Sequence, residues 1–237
     1  MNTPPGATRA ARTRAARRGT TVPARFRSSP PAQRRSRETM DRFAEAAEEL
    51  LRGRRFEEIP LQDIVRLSGR PIGSFYARFG SKEALLPFLY QRYHDGLEAY
   101  FETRLARVDW NGLDFRGALR ALVDFLVGIY DERRWLIRAL VLFARTRPEA
   151  LPPDVVRRRT RLYDMPVALL ARHRASIAHE DAETAIRFGV FLVSSVAREK
   201  MLFGETPHAR VTPIGRRALR DELVRMLHAY LTCEVPA

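Results

Sequence analysis

The sequence predicts an all-α protein: a small N-terminal helix-turn-helix unit of three helices, then a larger helical bundle, with about nine helices in all. Three observations predict it. From Arg37 onward, apolar residues recur at helical spacing almost without interruption. No segment shows the alternation of a strand, and no internal repeat is present. Short helical segments come first and longer ones follow, the pattern of a small unit joined to a bundle. The 237 residues suit one large domain or two small ones. They divide into an Arg-rich arm over 1–35, the helix-turn-helix unit over 36–86 and the bundle over 87–237.

Each element follows from its own residues. The arm is rich in Pro, Arg, Ala, Ser and Thr and holds too little apolar surface to offset the entropy of ordering, so disorder is expected there. Phe43, Ala46, Ala47, Leu50 and Leu51 make the first helix, with Gly53 near its end. Leu61, Ile64, Val65 and Leu67 make the second, which stops at Ser68-Gly69. The third runs from about Pro71 to Arg78, proline suiting its first turn. Ser81 is the expected N-cap of a long fourth helix striped by Leu85, Leu89, Tyr93, Leu97 and Leu105. Pro87 falls inside that helix and is expected to remove a backbone hydrogen bond and bend it.

After Asn111-Gly112, a fifth helix carries Phe115, Leu119, Leu122 and Leu126. A sixth carries Trp135, Leu136, Leu140 and Phe143 and stops near Pro148. The seventh starts near Pro153, with a kink expected at Pro166. The eighth, from about Asp181, is apolar or small all round from Phe188 to Ala197, as in a helix buried on more than one side. The ninth follows Thr212 and carries Leu219, Leu223, Leu227 and Tyr230.

The formal charge of +14 points toward nucleic acid, but its distribution qualifies that. Residues 1–37 hold ten arginines and no acid, leaving 32 basic and 28 acidic residues, a net of +4, for the other 200. Residues 38–86 hold eight bases and nine acids. The arm is therefore read either as a phosphate-tracking extension or as a plain unstructured one. The longest nearly uncharged apolar run, Phe188–Ala197, falls short of the roughly 20 residues a bilayer span needs. No signal-peptide core follows the N-terminal arginines. The single cysteine, Cys233, excludes an intramolecular disulfide and suits a reducing cytoplasm.

Residues 61–86, LQDIVRLSGRPIGSFYARFGSKEALL, carry the most specific pattern. A short helix, a glycine turn and a second short helix are the layout of a helix-turn-helix, whose second helix enters the DNA major groove. Phe75 and Phe79, four apart, anchor the second helix, while Gly73 and Ser74 leave room for close approach. Tyr76, Arg78 and Lys82 supply donors.

Over about 37–86 the chain resembles the TetR family of transcriptional regulators. The resemblance rests on Leu50-Leu51, Phe56, Asp63-Ile64-Val65, Ser68-Gly69, the run from Gly73 to Phe79 and the run from Ser81 to Leu86. Beyond residue 86 it is architectural only. It implies that Tyr76 and Lys82 donate to DNA phosphates and that Gly73 and Ser74 lie against the groove. It also implies a homodimer, formed through a four-helix bundle, on a palindromic double-stranded operator. Arg37, Arg70, Pro71, Ile72 and Arg78 complete the expected DNA-facing set. The chain departs from the family pattern at Pro60 and Pro71, which replace capping Ser/Thr residues, at Ile72, which replaces a lysine, and at Arg55, which replaces a glycine.

The bundle should hold an unidentified small-molecule effector. Tyr100, Phe101, Trp110, Phe125, Trp135, Phe143, Tyr163 and Met165 are the candidate pocket lining, with plain core packing as the competing reading. Arg157, Arg158, Arg159 and Arg161 read as a solvated helix face. The last two long helices are the candidate dimer interface through Phe188, Phe191, Leu192, Val196, Leu223, Leu227 and Tyr230. Histidines 94, 173, 179, 208 and 228 show no metal-ligand spacing, and no catalytic or nucleotide-binding signature is present, so neither metal, cofactor nor enzyme activity is expected. The expected function is that of a cytoplasmic, ligand-released repressor. An architectural DNA binder without a ligand is the alternative. Pro87 is the expected bend through which a pocket change reaches the reading head.

Overall fold

The computed structural model describes residues 30–233, and they form ten α-helices without a strand. Most of the expected arm, 1–29, lies outside the described residues. The order is α1 (Pro30–Leu51), α2 (Leu61–Ser68), α3 (Ile72–Phe79), α4 (Leu85–Leu105), α5 (Phe115–Glu132), α6 (Arg134–Thr146), α7 (Val155–Leu170), α8 (Ala182–Leu202), α9 (Pro207–Arg210) and α10 (Arg216–Thr232). Short 3₁₀ turns precede α2, precede α7 and follow α7.

Two cores organise the chain. The first gathers α1–α3, the start of α4 and one face of α6 around Phe43, which meets the rings of Phe75 at 5.1 Å and Phe79 at 6.2 Å, both edge-on. Edge-to-face packing of this kind adds to plain apolar burial. The second core joins the rest of α4 to α5, α7, α8 and α10. A small patch of Ile137, Leu202 and Phe203 lies between them.

Helix α6 belongs to both sides. Leu136, Ala139, Leu140 and Phe143 are buried in the head core, while Ile137 and Val141 face the bundle.

Three expectations change. Helix α1 starts at Pro30, so its first turns reach into the segment expected to be disordered. Helix α4 starts at Leu85, because residues 81–84 form a separate turn in which the Ala84 N–H donates to Ser81 Oγ at 3.3 Å. Pro87 therefore stands in the first helical turn, where N–H groups have no intrahelical acceptor, so it removes no hydrogen bond and is not a bend. Finally, the stretch expected to lead directly into the last helix contains the short α9. Thr206 caps it, accepting from Ala209 N at 3.3 Å.

Candidate functional site

The reading head is built by local turn chemistry. Helix α2 ends at Gly69, whose φ of 65° is the left-handed region that glycine occupies without steric cost. The Ser68 hydroxyl donates to Val65 O at 2.8 Å and accepts from Arg70 N at 3.2 Å, fixing the turn. Pro60 and Pro71 stand at the N-caps of α2 and α3 with no side-chain cap, as the sequence implied. Helix α3 buries Phe75 and Phe79 and turns Ile72, Gly73, Tyr76 and Ala77 to the outside. Tyr76 is 52% exposed and Ile72 43%. A side chain at Gly73 would meet nothing within 4 Å, so the bare backbone there is open to close approach. Ser74 is half-buried, and Pro71 and Arg70 are exposed on the same edge.

Basic residues around the head divide into free and engaged. Among the described residues, Arg70 forms no ion pair, whereas Arg66 and Arg54 both hold Asp63, at 3.1 and 2.8 Å. The Arg54 hydrogen bond, with the charges of both arginines, holds the Asp63 carboxyl below its ordinary value. Arg37 pairs with Asp41 at 3.7 Å and lies over the Phe88 ring. Arg78 folds back along its own helix, donating through Nη1 to Ser74 O at 2.9 Å.

Lys82 differs most from expectation. Its ammonium donates to the carbonyls of Phe56 and Ile59, each at 3.1 Å, and of Glu57 at 3.4 Å, and it sits over the Phe56 ring. All three of its donors are occupied within the chain. Lys82 is therefore a clamp between the start of α4 and the turn before α2.

The bundle contains a divided cavity. An inner chamber of about 70 Å³ lies between α4, α5, α6, α7 and α8, and a vestibule of about 270 Å³ opens beside it. Tyr93, Leu97, Ile129 and Ile137 belong to both. Of the expected lining, Phe101 and Tyr163 face the inner chamber and Tyr100 the vestibule.

The other expected lining residues lie elsewhere. Trp110 is core, its indole N–H held by Leu105 O at 2.7 Å. Phe125 is packed between Tyr100 and Phe101. Phe143 belongs to the head core, and Trp135 lies at its edge under the Arg52 guanidinium. Met165 packs against the bundle core without reaching the cavity.

The sequence reading missed Tyr93, Tyr130, Ser194 and Arg198, which do line the cavity. Arg159 is exposed, as expected of a solvated helix face, but it also borders the cavity. Burial raises the phenols of Tyr93 and Tyr130, against the opposing pull of nearby arginines. His94, buried between the rings of Tyr90 and Tyr93, is held down to about 3 by burial and by the charges of Arg159 and Arg158.

An apolar strip runs along the outside of α8. Phe188 is 48% and Phe191 50% exposed, their rings 6.5 Å apart, with Val196 exposed and Leu192 half-buried nearby. Tyr230 of α10 meets Phe188 at 5.8 Å, and Met226 on the same helix is also exposed. Leu223 and Leu227, expected in this strip, are instead buried inside the chain's own core, where Leu227 fills the space above Gly189.

Among the described residues no group of side chains could hold a metal ion, and no helix is long and apolar enough to cross a membrane.

No protein-family model and no curated protein matches the chain. Solved structures do. The chain is similar to a TetR-like transcriptional regulator from Rhodococcus sp. RHA1, with 25% identity and a TM-score of 0.52 over 87% of this chain and 100% of that one. A second TetR transcriptional regulator from Rhodococcus sp. RHA1 gives 18% identity and a TM-score of 0.53 over 84% and 97%. The TetR-family regulator PfmR from Thermus thermophilus gives 20% identity and 0.52 over 81% and 97%. The fold is that of TetR-family transcriptional regulators, a helix-turn-helix head on a helical bundle.

Proposed function

We propose, from the fold shared with TetR-family transcriptional regulators, that this chain is a cytoplasmic, ligand-responsive DNA-binding regulator without catalytic activity, and a repressor in the absence of its effector. The observation that carries the reading is the outer face of α3. Tyr76, Ile72 and the open backbone at Gly73 project together while Phe75 and Phe79 hold the helix from behind. Phosphate contacts fall to Tyr76, Arg70 and Arg37. Groove contacts fall to Pro71, Ile72, Gly73 and Ser74, with Ile72 suited to a thymine methyl rather than a hydrogen bond. Arg78 and Lys82 act by holding the head in shape.

One head reads only a few base pairs, so a two-fold pair on a palindromic operator is required, with heads one or more helical turns apart. The strip of Phe188, Phe191, Val196 and Tyr230 supplies the dimer contact. An effector in the cavity shifts the population toward a head spacing that no longer fits the operator. Helix α6 is the mechanical link, with one face in the cavity wall and the other in the head core.

The test is footprinting on DNA upstream of the chain's own coding region. Protection of a short near-palindrome is expected. Phe191→Glu should give a monomer that protects it at least tenfold more weakly. Uniform protection without a preferred site, or protection undiminished in a monomeric Phe191→Glu, overturns the proposal.

A further inference from the structure

The inner chamber carries charge of one sign. Arg159 of α7 and Arg198 of α8 line the inner chamber, and Arg133 stands at the vestibule. No carboxylate lines the inner chamber. The two carboxylates of the vestibule are already engaged, Glu48 by Arg92 at 3.5 Å and Glu132 by Arg104.

Among the described residues, many arginines have an acidic partner close by. On α7 itself, Arg157 and Arg158 both pair with Asp154, and Arg158 also reaches Asp95 at 2.7 Å. Arg159, Arg198 and Arg133 form no ion pair among the described residues. The half-buried Arg198 has only a long bond, 3.4 Å, to Ser195 Oγ. Both arginines of the inner chamber act on Tyr130, and Arg159 also acts on Tyr93 and His94, so their charge is felt inside the bundle rather than only at its surface.

Arg159 and Arg133 are exposed and stand at the rim, whereas Arg198 is half-buried. A partly buried cation without a counter-charge is costly, and a bound anion relieves that cost. The rest of the wall, including Leu97, Ile129, Ile137 and the tyrosine rings, is apolar with neutral hydroxyls at its edges. A pocket of this kind fixes a ligand by a few polar groups and holds its body by apolar contact. We infer that the effector is a small organic anion, a carboxylate with an apolar body, whose head lies at Arg159 and Arg198 and whose body occupies the space walled by Leu97, Ile129 and Ile137. This rests on the proposal that the bundle cavity is the effector site.

The experiment is calorimetric titration of the full chain, without DNA, by octanoate, octanol and octylamine. Octanoate is expected to bind at least tenfold more tightly than octylamine. Arg198→Gln and Arg159→Gln should each weaken octanoate at least tenfold while leaving octanol within about twofold, and Arg198→Lys should retain most octanoate affinity. The octanol arm reports whether each variant still holds the pocket. Octylamine or octanol binding as tightly as octanoate, octanoate binding unchanged in both glutamine variants, or no octanoate binding overturns the inference. Because DNA is absent, the regulator proposal fails separately. A chain that binds octanoate through these arginines but protects no operator loses its assigned function and keeps its ligand class.

Discussion

Replacing Lys82 with methionine separates two roles that one residue cannot fill at once. The structure gives its ammonium three carbonyl acceptors, at 3.1, 3.1 and 3.4 Å, and the face of Phe56. Methionine keeps an unbranched side chain and removes the charge, its donors and the ammonium's contact with that ring. A hydrogen bond to a charged group contributes about 1.5–3 kcal/mol, but Lys82 is half-exposed, so water replaces part of what is lost. Phe56 O also keeps its bond from Ile59 N at 3.2 Å. A net destabilisation of about 2 kcal/mol follows, well below three full bonds. The assay is urea unfolding at fixed protein concentration, paired with operator affinity across a salt series. If Lys82 is a clamp, stability falls and the salt slope is unchanged. If it neutralises a phosphate instead, the slope drops by about 0.9 per head while stability holds. That second outcome refutes the clamp.

Two other perturbations probe the packing beneath the site. Gly189→Ala in α8 would gain up to about 1 kcal/mol of helix propensity, but its methyl would come within 3.0 Å of Leu227 Cδ1, which is fully buried. Overpacking costs about 1–3 kcal/mol, so the variant should be less stable in urea than Gly128→Ala, whose methyl meets nothing within 4 Å; equal stability would show that α8 and α10 do not pack this closely. His94 titrates near 3 in the folded chain and near 6.5 when unfolded, so below pH 6.5 the unfolded state gains a proton that the folded state refuses. Its contribution to stability therefore falls as pH drops from 6.5 toward 3, reaching a loss of about 2 kcal/mol by pH 5. His94→Phe should flatten the stability difference between pH 5 and 7.5 by up to that amount, measured by urea unfolding at both.

The head was readable because its determinants are local. Gly69 announces its own turn, and the four-residue spacing of Phe75 and Phe79 names the buried face of α3. The bundle was readable only as a set of helices. Which residues meet across it depends on how those helices rotate, and apolar stripes wider than one contact leave that open. Leu227 looked like surface for a partner because α8 is apolar all round. The missing side chain at Gly189 lets α10 approach and takes Leu227 inside. Trp110 and Phe143 looked like pocket lining because aromatics are common in both places, and only the tertiary structure assigns them to cores. Arg159 was hidden for the opposite reason. Adjacent helical residues point about 100° apart, so the arginines from 157 to 161 cannot share one face, and Arg159, while exposed, also borders the cavity.

The same reasoning moves the link between pocket and head from Pro87 to α6. A bend at Pro87 would have been a hinge, with the two cores free to move apart. Helix α6 instead commits Leu136, Leu140 and Phe143 to one core and Ile137 and Val141 to the wall of the cavity. Its Arg138 also ties down the end of α8, donating to Leu202 O at 2.6 Å and pairing with Glu205, which Arg55 of the head approaches at 3.9 Å. Close-packed interiors do not deform continuously, so an occupant that displaces Ile137 must displace the opposite face of the same helix. The head core, with Phe43 and the rear of α3 in it, then shifts with the cavity wall. The proposed coupling needs no flexible joint, because one helix is shared by both cores.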